Sequence, residues 1–202
     1  MKHIYHLRHL FFNPRGFFAD LSDEYHFRPF LFYLTISVFV IAFKQIIEVF
    51  RTGLAGSFTI RSFIETGLAA KLVLELSFII AIPPILYSIV HIILALTHSH
   101  ASLREASAFA QTLGVIFYGH AIMLLYVIPI IIANIFAKQH SLLITFIGIA
   151  FALAAIMHTS LIEITGITHI HGVEKGKASL IIALALIVTL ILFLHFVFQL
   201  VI

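Results

Sequence analysis

Apolar residues run through this chain in five long blocks, separated by short polar connections. A helix crosses the roughly 30 Å hydrocarbon core of a bilayer with about 20 apolar residues, and each block is at least that long. A strand in lipid leaves its backbone groups unpaired unless it closes into a barrel, and the period-2 alternation of a barrel is absent. The blocks therefore predict membrane-spanning helices at Phe30–Phe50, Leu68–Leu96, Ala106–Ala137, Ser141–Gly166 and Ala178–Ile202.

The amino-acid composition is typical of an integral membrane protein. Hydrophobic residues make up 61% of the 202 residues and charged residues only 10%, against about 25% charged residues in a typical soluble domain. We therefore predict an all-α, polytopic membrane bundle of about five transmembrane helices. Residues 1–29 form a cytoplasmic or interfacial N-terminal segment, and residues 30–202 form the transmembrane domain. The connections are too short to hold a soluble catalytic domain.

The N-terminal segment contains the pattern of a short helix. Asn13 is a suitable N-cap, and Pro14 is favoured at the first helical position. Phe17, Phe18 and Leu21 then fall on one side of the helix. This pattern predicts a short amphipathic helix lying at the cytoplasmic membrane surface, ahead of the first span.

Basic residues are distributed unequally between the two ends of the predicted helices. The end that holds the N-terminus has Lys2, Arg8, Arg15, Arg28, Arg104, Lys175 and Lys177, and the other end has Arg51, Arg61, Lys71 and Lys138. Because basic residues accumulate on the cytoplasmic side, the sequence predicts a cytoplasmic N-terminus and a C-terminus on the far side. The expected location is the inner (plasma) membrane of a cell.

Four charged residues lie within or next to the first two predicted spans. Lys44 and Glu48 are one turn apart near the outer end of the first, and Lys71 and Glu75 repeat that order at the outer start of the second. Antiparallel packing would place Lys44 opposite Glu75 and Glu48 opposite Lys71. A buried charge cluster that clamps the two helices is one interpretation, and an outer vestibule for an ion or proton is the other.

Histidines and an acidic residue also occur inside the later spans. His120, His158 and His195 fall in the third, fourth and fifth spans, and Glu163 lies in the fourth. Spacing identifies no acidic partner for a central histidine. Interhelical hydrogen bonding is therefore the first interpretation, and a proton relay is the alternative. A lipid-modifying enzyme built on His158 and Glu163 ranks last, because a separation of five residues suits one helix face poorly.

Two histidine pairs lie in predicted cytoplasmic connections. They are His98 with His100 and His169 with His171. In an extended segment such pairs point to one side, so together they would offer four nitrogens to a zinc ion. The chain has no cysteine to strengthen a metal site, and ordinary surface histidines explain the same residues. We therefore expect no cofactor, with zinc as the alternative.

The order of several short motifs resembles the Yip family of membrane proteins, which are named for interacting with Ypt/Rab GTPases. The first motif is Asn13-Pro14 followed by Phe17, Phe18 and Leu21. The second is Ser102–Ala106, a polar connection that leads into a helix with Tyr118-Gly119. The third is Thr168–Ala178, which enters the last span. The resemblance is to the short bacterial branch, because the long N-terminal region expected to contact a GTPase is missing.

For that branch the resemblance implies an inner-membrane protein with no catalytic residues to carry over. Sequence signatures of hydrolases and nucleotide-binding proteins are absent, and the basic residues do not cluster as nucleic-acid binding requires. We therefore predict a non-enzymatic multi-pass protein that acts through helix contacts in the lipid bilayer, as a partner scaffold, an oligomer or a membrane organiser. The alternative is a small transporter or channel for an ion, metal or proton. A Rab-type GTPase is not expected as a partner.

Overall fold

A computed structural model describes residues 2–19, 28–51, 83–86, 88–94, 106–136 and 142–201 of the chain. Within these ranges nearly every residue is helical and no strand occurs, which confirms the all-α prediction. The helices are α1 (Lys2–Phe12), α2 (Pro14–Ala19), α3 (Arg28–Arg51), α4 (Pro83–Leu94, in which residue 87 is not described), α5 (Ala106–Leu125), α6 (Val127–Phe136), α7 (Leu142–His171) and α8 (Lys175–Val201).

Three helical stretches in the described part of the chain are long and apolar enough to cross a bilayer. The qualifying stretches are Arg28–Ile47, Ala110–Ala133 and Ile144–His171, and they coincide with the first, third and fourth predicted spans. The second predicted span is described in part, as the shorter apolar helix α4. Residues 178–201 of the fifth predicted span lie within α8, which contains 27 residues.

A break at Tyr126 divides the third span into α5 and α6. Tyr126 is in a turn, and its backbone N–H donates to the carbonyl of Met123 at 3.1 Å. Pro129 lies three residues beyond, and its ring would clash with the carbonyl four residues earlier in a continuous helix. This clash accounts for the interruption of the helix just before Pro129.

The contacts between helices fix their directions. Along α3 and α5, Pro29 approaches Gly114 and Tyr33 packs on Phe117, so these two helices run in the same direction. Helix α7 runs in the opposite direction, because Thr159 bonds to Gly119 and His171 contacts Thr112. The start of α3 and the end of α7 therefore lie at one end of the bundle, which we call the charged end. Exposed Arg28, Lys175 and Lys177 lie there.

The two short N-terminal helices are part of the core. The predicted start of α2 is confirmed, since Pro14 is its first residue and the Asn13 side-chain oxygen accepts a hydrogen bond from the Gly16 N–H at 3.1 Å. Phe17 and Phe18 are 4% and 2% exposed. Phe17 packs edge-on against Tyr118, with ring centres 4.9 Å apart. The aromatic side of this short helix therefore contacts protein, where the sequence pattern suggested a helix resting on the membrane surface.

Apolar side chains cover the outer surface of the bundle. On α7, Leu142, Phe146 and Met157 are 76%, 67% and 74% exposed. Helix α8 exposes Leu180, Ile187 and Ile191 in the same way. Such a surface is stable in hydrocarbon and unstable in water, so the chain is a membrane protein.

Candidate functional site

The polar groups of the described interior concentrate where α5 crosses α7. His120 of α5 and Glu163 of α7 are both buried, at 4% and 0% exposure. The His120 Nδ1 atom lies 3.2 Å from Glu163 Oε1 and 3.0 Å from the backbone carbonyl oxygen of Ile116. Spacing along the sequence could not identify this acidic partner, because it depends on the register between two helices.

Glycine at position 119 permits this close approach. A Cβ atom on Gly119 would lie 2.8 Å from Glu163 Cγ and 2.9 Å from Glu163 Oε1, which is closer than side-chain contacts allow. The Thr159 hydroxyl, one turn before Glu163, donates to the carbonyl of Gly119 at 3.2 Å. Small residues let membrane helices approach until such polar contacts form. The Tyr118-Gly119 motif therefore has a packing role that its sequence did not reveal.

The Glu163 carboxyl group is poorly satisfied by its surroundings. Within the described part of the chain, neither carboxyl oxygen has a hydrogen bond of good geometry, and the contact with His120 Nδ1 is close without being well aligned. Burying a charged carboxylate without hydrogen bonds costs several kcal/mol. Among the described residues, His120 is the polar neighbour closest to this carboxyl group.

We expect Gly119→Ala to destabilise the bundle by about 1–3 kcal/mol, because the new methyl group overpacks the contact with Glu163. Gly176→Ala is a matched control near the start of α8, since a Cβ there meets nothing within 4 Å. That control should be neutral or stabilising by up to about 1 kcal/mol, since alanine is the better helix former. Unfolding of both variants in mixed detergent micelles measures the difference, and equal stabilities would contradict the packing at Gly119.

A second polar contact joins the N-terminal segment to the bundle through His158. The Tyr126 hydroxyl lies 2.8 Å from His158 Nδ1, and His158 Nε2 lies 3.0 Å from the backbone carbonyl oxygen of Phe11. Because a carbonyl only accepts, Nε2 carries the proton, and Nδ1 accepts from Tyr126. The Phe11 ring also packs edge-on against His158 at 4.4 Å. His158 thus binds a carbonyl group left unpaired at the end of α1.

His158 and Glu163 have separate neighbours. His158 contacts Tyr126 and Phe11, whereas Glu163 contacts His120. The structure therefore does not join them into one acid–base site. Sequence reasoning overlooked Thr159, although Thr159 and Glu163 are one turn apart and therefore lie on the same side of the helix.

The predicted charge cluster lies mostly outside the described residues. Lys44 is half-buried on α3. Glu48 also lies on α3, but its side chain is not described, and Lys71 and Glu75 fall in the stretch 52–82, outside the described ranges. The clamp between the first two spans therefore stays a prediction. His195 lies on α8, and its side chain is likewise outside the described set.

The histidines near the charged end do not adopt the arrangement expected for chelation. His169 and His171 both belong to helix α7, and a helix turns residues two apart to different sides. His169 is exposed, while the Nε2 atom of half-buried His171 lies 2.7 Å from the Thr112 hydroxyl. The assumption of an extended segment is therefore wrong for this pair. His98 and His100 lie outside the described residues, and no group of three metal-binding side chains occurs among the described ones.

Comparison with known proteins gives one match. The Yip1 domain family model matches residues 8–197 of the chain. This range includes α2, α5 with Tyr118-Gly119, and the connection from α7 to α8, which are the places that carried the resemblance in the sequence. It begins inside the N-terminal segment of residues 1–29. A search of curated proteins and a search of solved structures each returned no match.

Proposed function

The chain belongs to the Yip1 domain family, and from that premise we propose that it is a non-enzymatic multi-pass membrane protein that acts through helix contacts within the bilayer. One observation carries this proposal. Thr159 and Glu163 of helix α7 make polar contacts inside the bundle, whereas the opposite face of the helix exposes large apolar side chains from Leu142 to Leu161. That face can bind another transmembrane helix at little desolvation cost.

The exposed face of α7 is suited to close packing near Gly148 and Ala152. These residues are four apart, so they lie on one side of the helix, and Ala152 is exposed. The space around Gly148 is open. We propose that this face receives a helix of a second copy of the chain or of another membrane protein.

Single-cysteine variants test the proposal cleanly, because the chain has no cysteine of its own. Ala152→Cys on α7 should give a cross-linked product when the protein is reconstituted in vesicles, and Ala183→Cys, an exposed alanine on α8, should give much less. The reconstituted protein tests a second copy, and the same variants in native membranes test a different partner. If neither preparation shows preferential cross-linking at Ala152, the contact proposal fails.

We further propose that the charged end faces the cytoplasm and that the membrane is the inner membrane of a bacterial cell. Exposed Arg28, Lys175 and Lys177 support this orientation through the cytoplasmic excess of basic residues. Labelling of Lys177→Cys by a membrane-impermeant reagent should occur only after the cells are opened. Labelling in intact cells would reverse the orientation.

A small proton transporter is the second candidate function. It is supported by the buried pair His120 and Glu163, because ionisable residues inside a membrane often mark proton paths. Proton flux into vesicles that is lost in Glu163→Gln would favour it. Flux equal to that of empty vesicles would leave the helix-contact function as the proposal.

A further inference from the structure

One side of the N-terminal segment is exposed, although the opposite side is buried in the bundle. Arg8, Phe12 and Arg15 are all exposed, and Phe12 is 78% exposed. These residues are four and three positions apart, so they lie on one side of a helical segment. The backbone stays helical up to the junction of α1 and α2, because the Asn13 N–H donates to the His9 carbonyl at 2.8 Å. We call Arg8, Phe12 and Arg15 the basic stripe.

The basic stripe lies beside the membrane-spanning part of α7. The carbonyl of Phe11, the residue before Phe12, is bound by His158, and α7 continues from there to the charged end at His171. With a rise of about 1.5 Å per residue, His158 is about 20 Å from that end. At the same level α7 has Met157, which is apolar and 74% exposed. Exposed side chains at this level therefore face lipid.

An arginine that faces lipid requires an anion, because an unpaired charge in hydrocarbon is costly. No ion pair of Arg8 or Arg15 occurs among the described residues, whose acidic side chains are those of Glu163 inside the bundle and Glu174 at the charged end. The anions that a bilayer itself supplies are the phosphates of its lipids. A guanidinium group binds phosphate through two parallel hydrogen bonds, which makes arginine well suited to this ligand.

We propose that the basic stripe binds the phosphate groups of anionic phospholipids in the leaflet at the charged end. Arg8 and Arg15 are about 10 Å apart along the segment, so each binds a phosphate of its own. Their methylene stems lie in the apolar region while the guanidinium groups extend to the headgroups. The Phe12 ring between them packs among the acyl chains. Anionic lipids are favoured, because the cationic group of a zwitterionic lipid offsets its phosphate charge.

This interaction goes beyond the proposed contact between α7 and another helix. It concerns a lipid as the partner, and it involves the exposed side of α1 and α2. It therefore stands whether or not α7 binds a second protein.

A fluorophore beside the basic stripe can measure which lipid is bound there. Ala19 is exposed one turn after Arg15, and Ala183 is an exposed alanine on α8. The full chain carrying labelled Ala19→Cys or Ala183→Cys is reconstituted in phosphatidylcholine vesicles with a small share of nitroxide-labelled phosphatidylglycerol or phosphatidylcholine. We expect phosphatidylglycerol to quench the label at residue 19 more strongly than phosphatidylcholine does. At residue 183 the two lipids should quench almost equally.

Two double variants remove the same amount of charge at different places. Arg8→Gln/Arg15→Gln should lower the preference for phosphatidylglycerol at residue 19 by about fivefold for each arginine. Lys175→Gln/Lys177→Gln neutralises two exposed lysines of the charged end. At physiological salt it should leave the preference within about twofold of the parent, because distant charges are screened. An excess of inorganic phosphate should also leave the preference unchanged, since the acyl chains hold the lipid in place.

The proposal is supported if the preference occurs at residue 19 and only the arginine variant removes it. Equal quenching by the two lipids at residue 19 overturns it, since the arginines are then neutralised without lipid. An equal decrease in both double variants also overturns it, because attraction to the overall charge of the chain would explain that result. Loss of the preference in inorganic phosphate would replace the lipid with a free anion.

The parent protein decides alone if Arg8→Gln/Arg15→Gln does not fold. In that case the difference between residues 19 and 183 supports the proposal, and equal lipid preferences at the two positions overturn it. Cross-linking at Ala152 is measured separately, so failure of one proposal does not affect the other.

Discussion

Phe18→Ala should lower the free energy of unfolding by about 3–5 kcal/mol, the usual cost of removing a buried phenylalanine ring. Phe18 is only 2% exposed, and its ring tip lies 2.9 Å from the point where a Cβ on Gly166 would stand. The residue therefore fills the junction of α2 with α7. Unfolding in mixed detergent micelles, followed by circular dichroism, measures the loss.

Phe12→Ala is the matched control for this experiment. Phe12 belongs to the same N-terminal segment but is 78% exposed, so its removal should change stability by less than about 0.5 kcal/mol. A helix resting on the membrane surface would instead make the two variants similar. Equal losses at Phe18 and Phe12 would therefore contradict the burial of α2 in the bundle.

His158→Ala should release α1 from the bundle and lower stability by about 2–4 kcal/mol. The change leaves two half-buried groups without their partner, the Tyr126 hydroxyl and the Phe11 carbonyl, and an unsatisfied group costs up to about 1–3 kcal/mol. Tyr126→Phe removes one of these contacts only, so its effect should be about half as large. Because Arg8 and Arg15 are exposed, trypsin cleavage after them reports release of the segment.

His169→Ala controls for the loss of a histidine from the same helix. His169 is exposed near the end of α7, so both stability and the rate of trypsin cleavage should stay at wild-type values. Cleavage that is equally fast in wild type and His158→Ala would mean that His158 does not hold α1 in place.

Local sequence signals predicted the helices well. Long apolar runs specify membrane helices because the bilayer allows few other backbone arrangements, and α3, α5 with α6, and α7 follow those runs. Asn13 and Pro14 specify the start of α2 through interactions with their nearest neighbours. Pro129 specifies the break at Tyr126, since its ring excludes a continuous helix. Each of these signals acts over a few residues.

The contacts of the interior could not be predicted in the same way. His120 meets Glu163, and His158 meets Phe11, only because α5, α7 and α1 pack in a particular register. An apolar helix can rotate about its axis with little change in its hydrophobic pattern, so the pattern does not reveal which polar residue faces which neighbour.

The prediction of an extended segment at His169 and His171 is wrong for a different reason. The polar residues after the fourth apolar run predict an extended connection at Thr168–His171. Helix α7 continues through them to His171, and Gly172 then adopts a φ of 62°, a left-handed conformation typical of the residue after a helix. The signal for the end of this helix was the glycine, and the change in polarity preceded it by several residues.

The bond between His158 and the Phe11 carbonyl also determines an order of events during synthesis. The two residues are 147 positions apart, so Phe11 leaves the ribosome long before His158 is made. Helices α1 and α2 therefore lack their final neighbours until α7 has entered the membrane. Ribosome-bound chains that end before α7 should leave the N-terminal helices open to proteases or chaperones. Docking of this early segment then becomes a late step that reports on insertion of the fourth span.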